Sequence, residues 1–348
     1  MKKMCASSVV SVGTFGMAAL CLTIFMSVTA AQAAGRANRI LVITASNGTN
    51  GNMLLSYNTG GILVGAIPTG GKGGASGNAG GIATDDGLIA AVNFASDSVS
   101  LFSRGRKGVL ELEEIVPTVS SPVSVALARD HLYVLGAKSV ASYRLRHGHH
   151  GGPELDGSSD LVLGDGSAAQ VGVTGEGLIL TEKNNVVEVV DLRRGAVSGE
   201  TVAVKLPDGS MTPFGLVTSG EDAFVTIAHS DEISVIRDGE ILSIVGSGTE
   251  HAPCWLTLVG GYVYSANSPS KSISAWKVTR DSLVQAIPVA ATTAGSPIDI
   301  ASSDRGLVAV LDGSSHITQY VVGRKGALIQ TAVSETVSGA NGLAVVDE

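Results

Sequence analysis

The feature that most constrains this chain is a unit that repeats along it. A small residue or proline leads an alternating apolar strand. A turn, a second apolar strand, a polar turn and a third strand follow. Ser121-Pro122-Val123-Ser124-Val125-Ala126 opens one copy, with strands at His131–Leu135 and Val140–Leu145 behind it. Ala252-Pro253-Cys254-Trp255-Leu256 and Ser296-Pro297-Ile298-Asp299-Ile300-Ala301 open two more. The leading position falls at Ala79, Pro122, Ala168, Pro213, Pro253, Pro297 and Asn341, at spacings of 40 to 46 residues. Four short strands per ~40–45 residues make the blade of a β-propeller. Seven anchors predict an all-β fold of seven blades.

The two ends of the repeat region complete that count. Residues 38–70 supply three strands, Ile40–Thr44, Met53–Tyr57 and Ile62–Ile67, and Gly342–Val346 supplies one in the phase of an innermost strand. Together they make one blade, which closes the ring and hides its free edge. A barrel of alternating strands and helices needs helical periods between the strands, and none of adequate length is found. The composition agrees with this reading. Forty-five glycines, about twice the usual share, without a triplet period imply many tight turns. Hydrophobic residues at 44% and charged residues at 16% exclude a disordered chain or a charge-laced coiled coil. A formal charge of -8 with no basic run argues against nucleic acid or anionic lipid as a partner.

The first 33 residues read as an address. Lys2 and Lys3 precede an apolar stretch from about Val9 to Val28, and Ala31-Gln32-Ala33 follows. That order is a secretory signal peptide cut after Ala33. Residues 34–348 are then a single exported domain, periplasmic or extracellular, with no membrane segment after cleavage. Cleavage removes Cys5 and Cys21 and leaves Cys254 alone, so no internal disulfide is expected. Cys254 follows a proline at a strand start and reads as a small buried thiol.

Residues 70–81 are glycine-rich. The phosphate-loop spacing fails there, because Ala66 stands where the first glycine is required and Gly73 where Ser or Thr is. The stretch is expected to be a flexible surface loop between the first two blades. His147, His149 and His150 lie in another glycine-rich segment, expected to be a surface loop with incidental metal affinity. Ser268-x-x-Lys271 sits in a turn, not on a helix, and is read as chance.

Registry between repeats locates a candidate site at one mouth of the ring. Fourteen residues past the anchors come Asn93, Glu182 and Asn267, with His229 and Asp312 close to the same phase. Two residues past the anchors come Gln170, Trp255 and Asp299. Glu182 and His229 are the candidate acid–base pair, since each can be tuned toward neutral pH in a desolvated funnel. Gln170, Asn267, Asp299 and Asp312 are candidate ligand contacts, with Trp255 as a stacking wall. Two or three carboxylates could hold Ca²⁺, but no cofactor is predicted. Equally, Asn and Asp at turns satisfy backbone groups, and Glu182 could pair with the adjacent Lys183.

The aligned blades resemble the secreted branch of the lactonase-like seven-bladed propellers, the 6-phosphogluconolactonase or 3-carboxymuconate cyclase type. The residues that carry the resemblance are Ala91-Val92-Asn93-x-x-Ser96-Asp97-Ser98-Val99-Ser100-x-Phe102, Pro122-Val123-Ser124-Val125-Ala126, Thr181-Glu182-Lys183, Thr212-Pro213-Phe214-Gly215, Ala252-Pro253-Cys254-Trp255 and Gly339-Ala340-Asn341-Gly342-Leu343-Ala344. The resemblance implies an enzyme that opens or forms a lactone using His, Glu and two Arg at the funnel mouth. Only the Glu has a counterpart, Glu182. Val123, Gln170 and the Asn267-Ser268-Pro269 segment stand where the other three would be. Two functions therefore follow as expectations. One is a lactone hydrolase or cycloisomerase with Glu182 and His229 at its centre. The other is a non-catalytic propeller that binds a small molecule in the funnel or a protein partner.

Overall fold

The computed structural model describes residues 40–105, 109–145, 152–175 and 177–347. The signal segment, Cys5, Cys21 and the histidines at 147, 149 and 150 lie outside the described residues. Seven antiparallel sheets follow one another along the chain. Blade 1 pairs Leu41–Ala45, Met53–Asn58 and Leu63–Pro68 with Asn341–Val346 as its innermost strand. Blade 2 runs from Ile82–Asp85 to Leu110–Pro117, and blade 3 from Pro122–Ala128 to Glu154–Asp160. Blade 4 starts at Ala168–Val173, and two short pieces, Ala196–Val197 and Val202–Val204, share its outer edge. Blade 5 starts at Pro213–Ser219, blade 6 at Pro253–Val259 and blade 7 at Pro297–Ser302.

The closing blade pairs Leu41 with Val346 through Ile43 with Ala344 in register. The Thr44 hydroxyl donates to the Gly342 carbonyl at 2.7 Å across the same seam. The three inner strands of a blade are nearly continuous apolar runs, as in Leu132–Leu135 or Val263–Ala266, because neighbouring blades cover both faces. Outer strands alternate with solvent, as Glu240–Gly246 does. Large aromatics such as Trp276, Tyr264 and Phe224 fill the space between blades. Each contributes roughly 1.5–3 kcal/mol by leaving water.

The anchor has a structural signature. Register slips by a bulge immediately after Pro122, Ala168, Pro213, Pro253 and Pro297, and next to Asn341. A bulge turns the chain and re-aims the side chains that follow. Ala79 departs from this pattern. Blade 2 begins only at Ile82, its first pairing has no slip, and the chain before it takes another course. Residues 70–81 are not the expected surface loop. Gly73, Ala75, Asn78 and Ala79 are buried, and Ala79 packs with Ala169, Phe214 and Trp255.

Candidate functional site

The anchors mark one end of the ring, and the strap formed by residues 70–81 lies across it. Its bonds reach four blades besides its own. In blade 1, the Asn47 side-chain carbonyl accepts from the Gly74 and Ala75 amides at 2.6 and 3.0 Å, while its amide donates to the Ala75 carbonyl at 2.8 Å. Asn341 Nδ2 donates to Asn78 Oδ1 at 3.1 Å. In blade 3, Asn78 Nδ2 donates to the Val123 carbonyl at 2.6 Å, and the Val125 amide donates to the Gly80 carbonyl. In blade 4, the Ala79 amide donates to the Ala169 carbonyl, and Lys183 Nζ donates to the Gly77 carbonyl at 2.6 Å. In blade 6, Trp255 Nε1 donates to the Asn78 carbonyl at 3.3 Å.

The glycines make this seating possible. A Cβ on Gly73 would lie 2.3 Å from the Asn47 carbonyl carbon. Gly74, Gly77 and Gly80 turn the chain at positive φ, a conformation that costs other residues energy. Here glycine serves close backbone approach rather than flexibility.

Two of the residues placed at the mouth from sequence, Trp255 and Gln170, lie against the strap, and a third, Asp299, lies in blade 7. Trp255 is 9% exposed and meets Phe214 edge-on at 5.2 Å. Gln170 Oε1 accepts from the Leu216 amide at 2.7 Å, and its side chain lies against Gly80. Asp299 is buried in blade 7 and accepts from the Ile300 amide at 2.8 Å. Burial pushes its carboxyl up to about 7, against the opposing effect of the Ile300 and Leu343 amides.

Glu182, Asn267 and Asp312 do not open into the funnel in this structure. All three are buried at the end of a second strand, under the connector arriving from the preceding blade. Glu182 accepts from the Leu163 and Gly164 amides at 2.9 and 3.1 Å. Asp312 accepts from the Gly295, Ser314 and His316 amides. Asn267 donates to Ser272 and Ser274, and Ser272 in turn donates to Glu250 of the incoming connector. Asn93 does the equivalent in blade 2, accepting from Thr69 at 2.7 Å. Registry identifies equivalent positions but not their radial direction. One strand out from the axis, the side chain meets the connector instead of the channel.

His229 has other partners again. It is exposed on a 3₁₀ turn of blade 5, with Nδ1 at 2.8 Å from Thr212 Oγ1. Asp231 lies beside it and binds His251 Nδ1 at 2.9 Å. That bond holds His251 above its ordinary value. The structure therefore does not bring Glu182 and His229 together. Lys183 points to the strap and not to Glu182, and burial holds its ammonium below the usual lysine range.

The residue that does accompany Glu182 escaped the sequence reading. Glu188 is fully buried on the neighbouring strand, and its Oε2 accepts from the Val162 amide at 3.0 Å. Burial first, and then the hydrogen bond with Glu182, push it well above the carboxylate range. A neighbouring carboxyl in a dry site disfavours ionisation, and here that effect falls on Glu188. The signal was present in the run Val186-Val187-Glu188-Val189-Val190, a charge amid apolar neighbours. Cys254 is free and partly buried, with its thiol pushed up to about 12 by burial. Among the described residues, no three His, Cys, Asp or Glu side chains converge as metal ligands.

No family model and no curated protein matches the sequence. Solved structures do match. A candidate 6-phosphogluconolactonase from Bacteroides fragilis superposes with a TM-score of 0.64 at 17% identity, over 89% of this chain and 99% of that one. One from Bacteroides uniformis gives 0.64 at 16%, over 89% and 100%. A periplasmic gluconolactonase from Pseudomonas aeruginosa gives 0.64 at 16%, over 88% and 98%. The fold is that of the lactonase-like seven-bladed propellers. At this identity the likeness speaks for the lactonase-like architecture alone. No helix among the described residues is long and apolar enough to cross a membrane.

Proposed function

We propose that this lactonase-like propeller is an exported binding protein, not a lactone hydrolase. The observation that carries the reading is the strap, which occupies the axial end through bonds to blades 1, 3, 4 and 6. A lactone carbonyl entering there would need donors for its developing negative charge, and loss of one such donor typically costs about 10²–10³ in rate. Lys183 is committed to two backbone carbonyls, and the backbone amides beside Glu182 are taken by its own carboxylate.

A second reading, lactone hydrolysis or formation, is favoured by the Glu182–Glu188 pair. Glu188, raised above the carboxylate range by burial beside Glu182, has the equipment for acid–base work once the connector at 162–164 moves aside. Assay of the purified mature protein on five- and six-membered lactones near neutral pH separates the two. The binding reading expects hydrolysis no faster than in buffer. Turnover that disappears in Glu182→Gln would replace it with the second reading. The export reading rests on the amino-terminal sequence. It is checked by the mass of the mature protein recovered outside the cytoplasm, expected to begin at Ala34.

A further inference from the structure

At the end of the blades opposite the strap, a cavity of about 510 Å³ lies among the turns of blades 2 and 7 and the end of the innermost strand of blade 1, and one of about 360 Å³ lies between the turns of neighbouring blades 3 and 4. The larger is rimmed chiefly by carboxylates, Asp85, Asp86, Asp304 and Asp347, with Arg104. The smaller, between blades 3 and 4, has the make-up of a ligand site: apolar walls and a few convergent polar groups. Val173, Leu192 and the Tyr133 ring form its walls, and Arg129, Arg194 and Asp130 its polar rim.

The two arginines are placed at a conformational cost. Arg129 has φ +57°, in the two-residue turn between the first and second strands of blade 3. The same position in blades 5 and 6 is Gly220 and Gly260, each at φ +61°. Arg194 has φ +55°, in the turn after the third strand of blade 4, where blade 5 has Asp238 at φ +52°. The left-handed region suits glycine, and after it Asn and Asp; an arginine pays for its Cβ there. Among the described residues, neither guanidinium lies within ion-pair distance of a carboxylate. Among the described residues, two cations without a carboxylate partner thus stand on strained backbone around one cavity.

The floor holds the turns rigidly. His131, 1% exposed, lies with Nδ1 at 2.8 Å from Asp130 and Nε2 at 3.0 Å from Asp156. Asp156 also accepts from Ser142 at 2.7 Å. The Tyr133 hydroxyl donates to the Gly195 carbonyl at 2.9 Å, and its ring stacks on His131. Gly195 approaches so closely that a Cβ would lie 2.3 Å from the imidazole. Asp130 keeps half its side-chain surface open, and its pKa is lowered by the bond from His131 against the effect of burial. It is a hydroxyl acceptor beside two carboxylate-binding forks.

We infer that this interblade cavity is a binding site for a small hydroxy-carboxylate, its carboxylate held by Arg129 and Arg194 and a hydroxyl by Asp130. The inference is independent of what the axial end does. Titration calorimetry of the mature protein with gluconate tests it, with sorbitol and inorganic phosphate as comparison probes. Gluconate is expected to bind saturably. Arg129→Gly and Arg194→Asp are each expected to weaken it at least about tenfold, and the double variant to abolish it. Both substitutions should leave the melting temperature unchanged or raise it, because the backbone relaxes. A merely structural arginine would instead lower the melting temperature when replaced. No saturable heat with gluconate at millimolar concentration overturns the inference. So does undiminished binding by the double variant, or sorbitol or phosphate binding as tightly as gluconate.

Discussion

Two connectors do the same topological job in different ways. The chain from blade 6 to blade 7 takes four residues, Thr293–Ser296, and the Asp312 carboxylate grips it through the Gly295 amide. The chain from blade 1 to blade 2 takes thirteen, from Thr69 to Gly81. It starts the same way, with Asn93 gripping Thr69, and then continues across the axis before its blade begins. The short connector is a joint, fixed by one side chain. The long one has become part of the core, fixed by many weak bonds from four blades and by the absence of side chains on its glycines. Lengthening a connector here has added a structural layer instead of slack.

The largest effect should come from breaking the long connector's close approach. Gly73→Ala puts a methyl into the Asn47 backbone and is expected to cost about 4 kcal/mol in denaturant unfolding. Trp255 fluorescence should change in the native state as the strap lifts; a variant as stable as the parent would show that the contact is soft.

Two aspartates of one hairpin sharpen the contrast next. Asp299 is a buried carboxyl raised to about 7, well above its unfolded value. It therefore binds a proton in the folded state that the unfolded state has released. Stability falls as pH rises from about 4 to about 7, by on the order of 3 kcal/mol, and is flat above. Asp299→Asn should remove that slope and stabilise the protein at pH 8; an unchanged pH profile of unfolding would contradict it. Asp312 instead serves as an acceptor for three amides. Asp312→Ala strands three amides and should destabilise by about 2 kcal/mol, read in the same unfolding experiment. The smallest effect is expected of Lys183→Met. It loses the bonds to the Gly77 and Ala168 carbonyls from a half-exposed position and should cost about 1 kcal/mol. A loss as large as that of Gly73→Ala would mean that Lys183 is the main latch.

Much of this architecture could be read from residues alone. Six of seven anchors mark a real bulge, because proline or a small residue with a following alternating run has little choice but to open an innermost strand. The meeting of Leu41–Ala45 with Asn341–Val346 follows from the need to hide an edge. Ala79 failed as an anchor because glycine composition does not say whether a chain is loose or tightly seated; that depends on what it approaches. Glu182 was placed at the right end of the right strand but aimed wrongly, since periodicity gives phase along a strand and not distance from an axis. Glu188, Asn47 and Asn78 act through partners far away in sequence, which no local pattern displays.

The seam in blade 1 has a kinetic consequence. Its two strands are separated by nearly the whole repeat region, so the sheet cannot be completed until the residues near 341 have left the ribosome. Long-range pairing of this kind slows folding. Until the last strand arrives, the nascent molecule is an open arc with two sticky flanks, and a chain that crosses a membrane before closing would do so while still pliable.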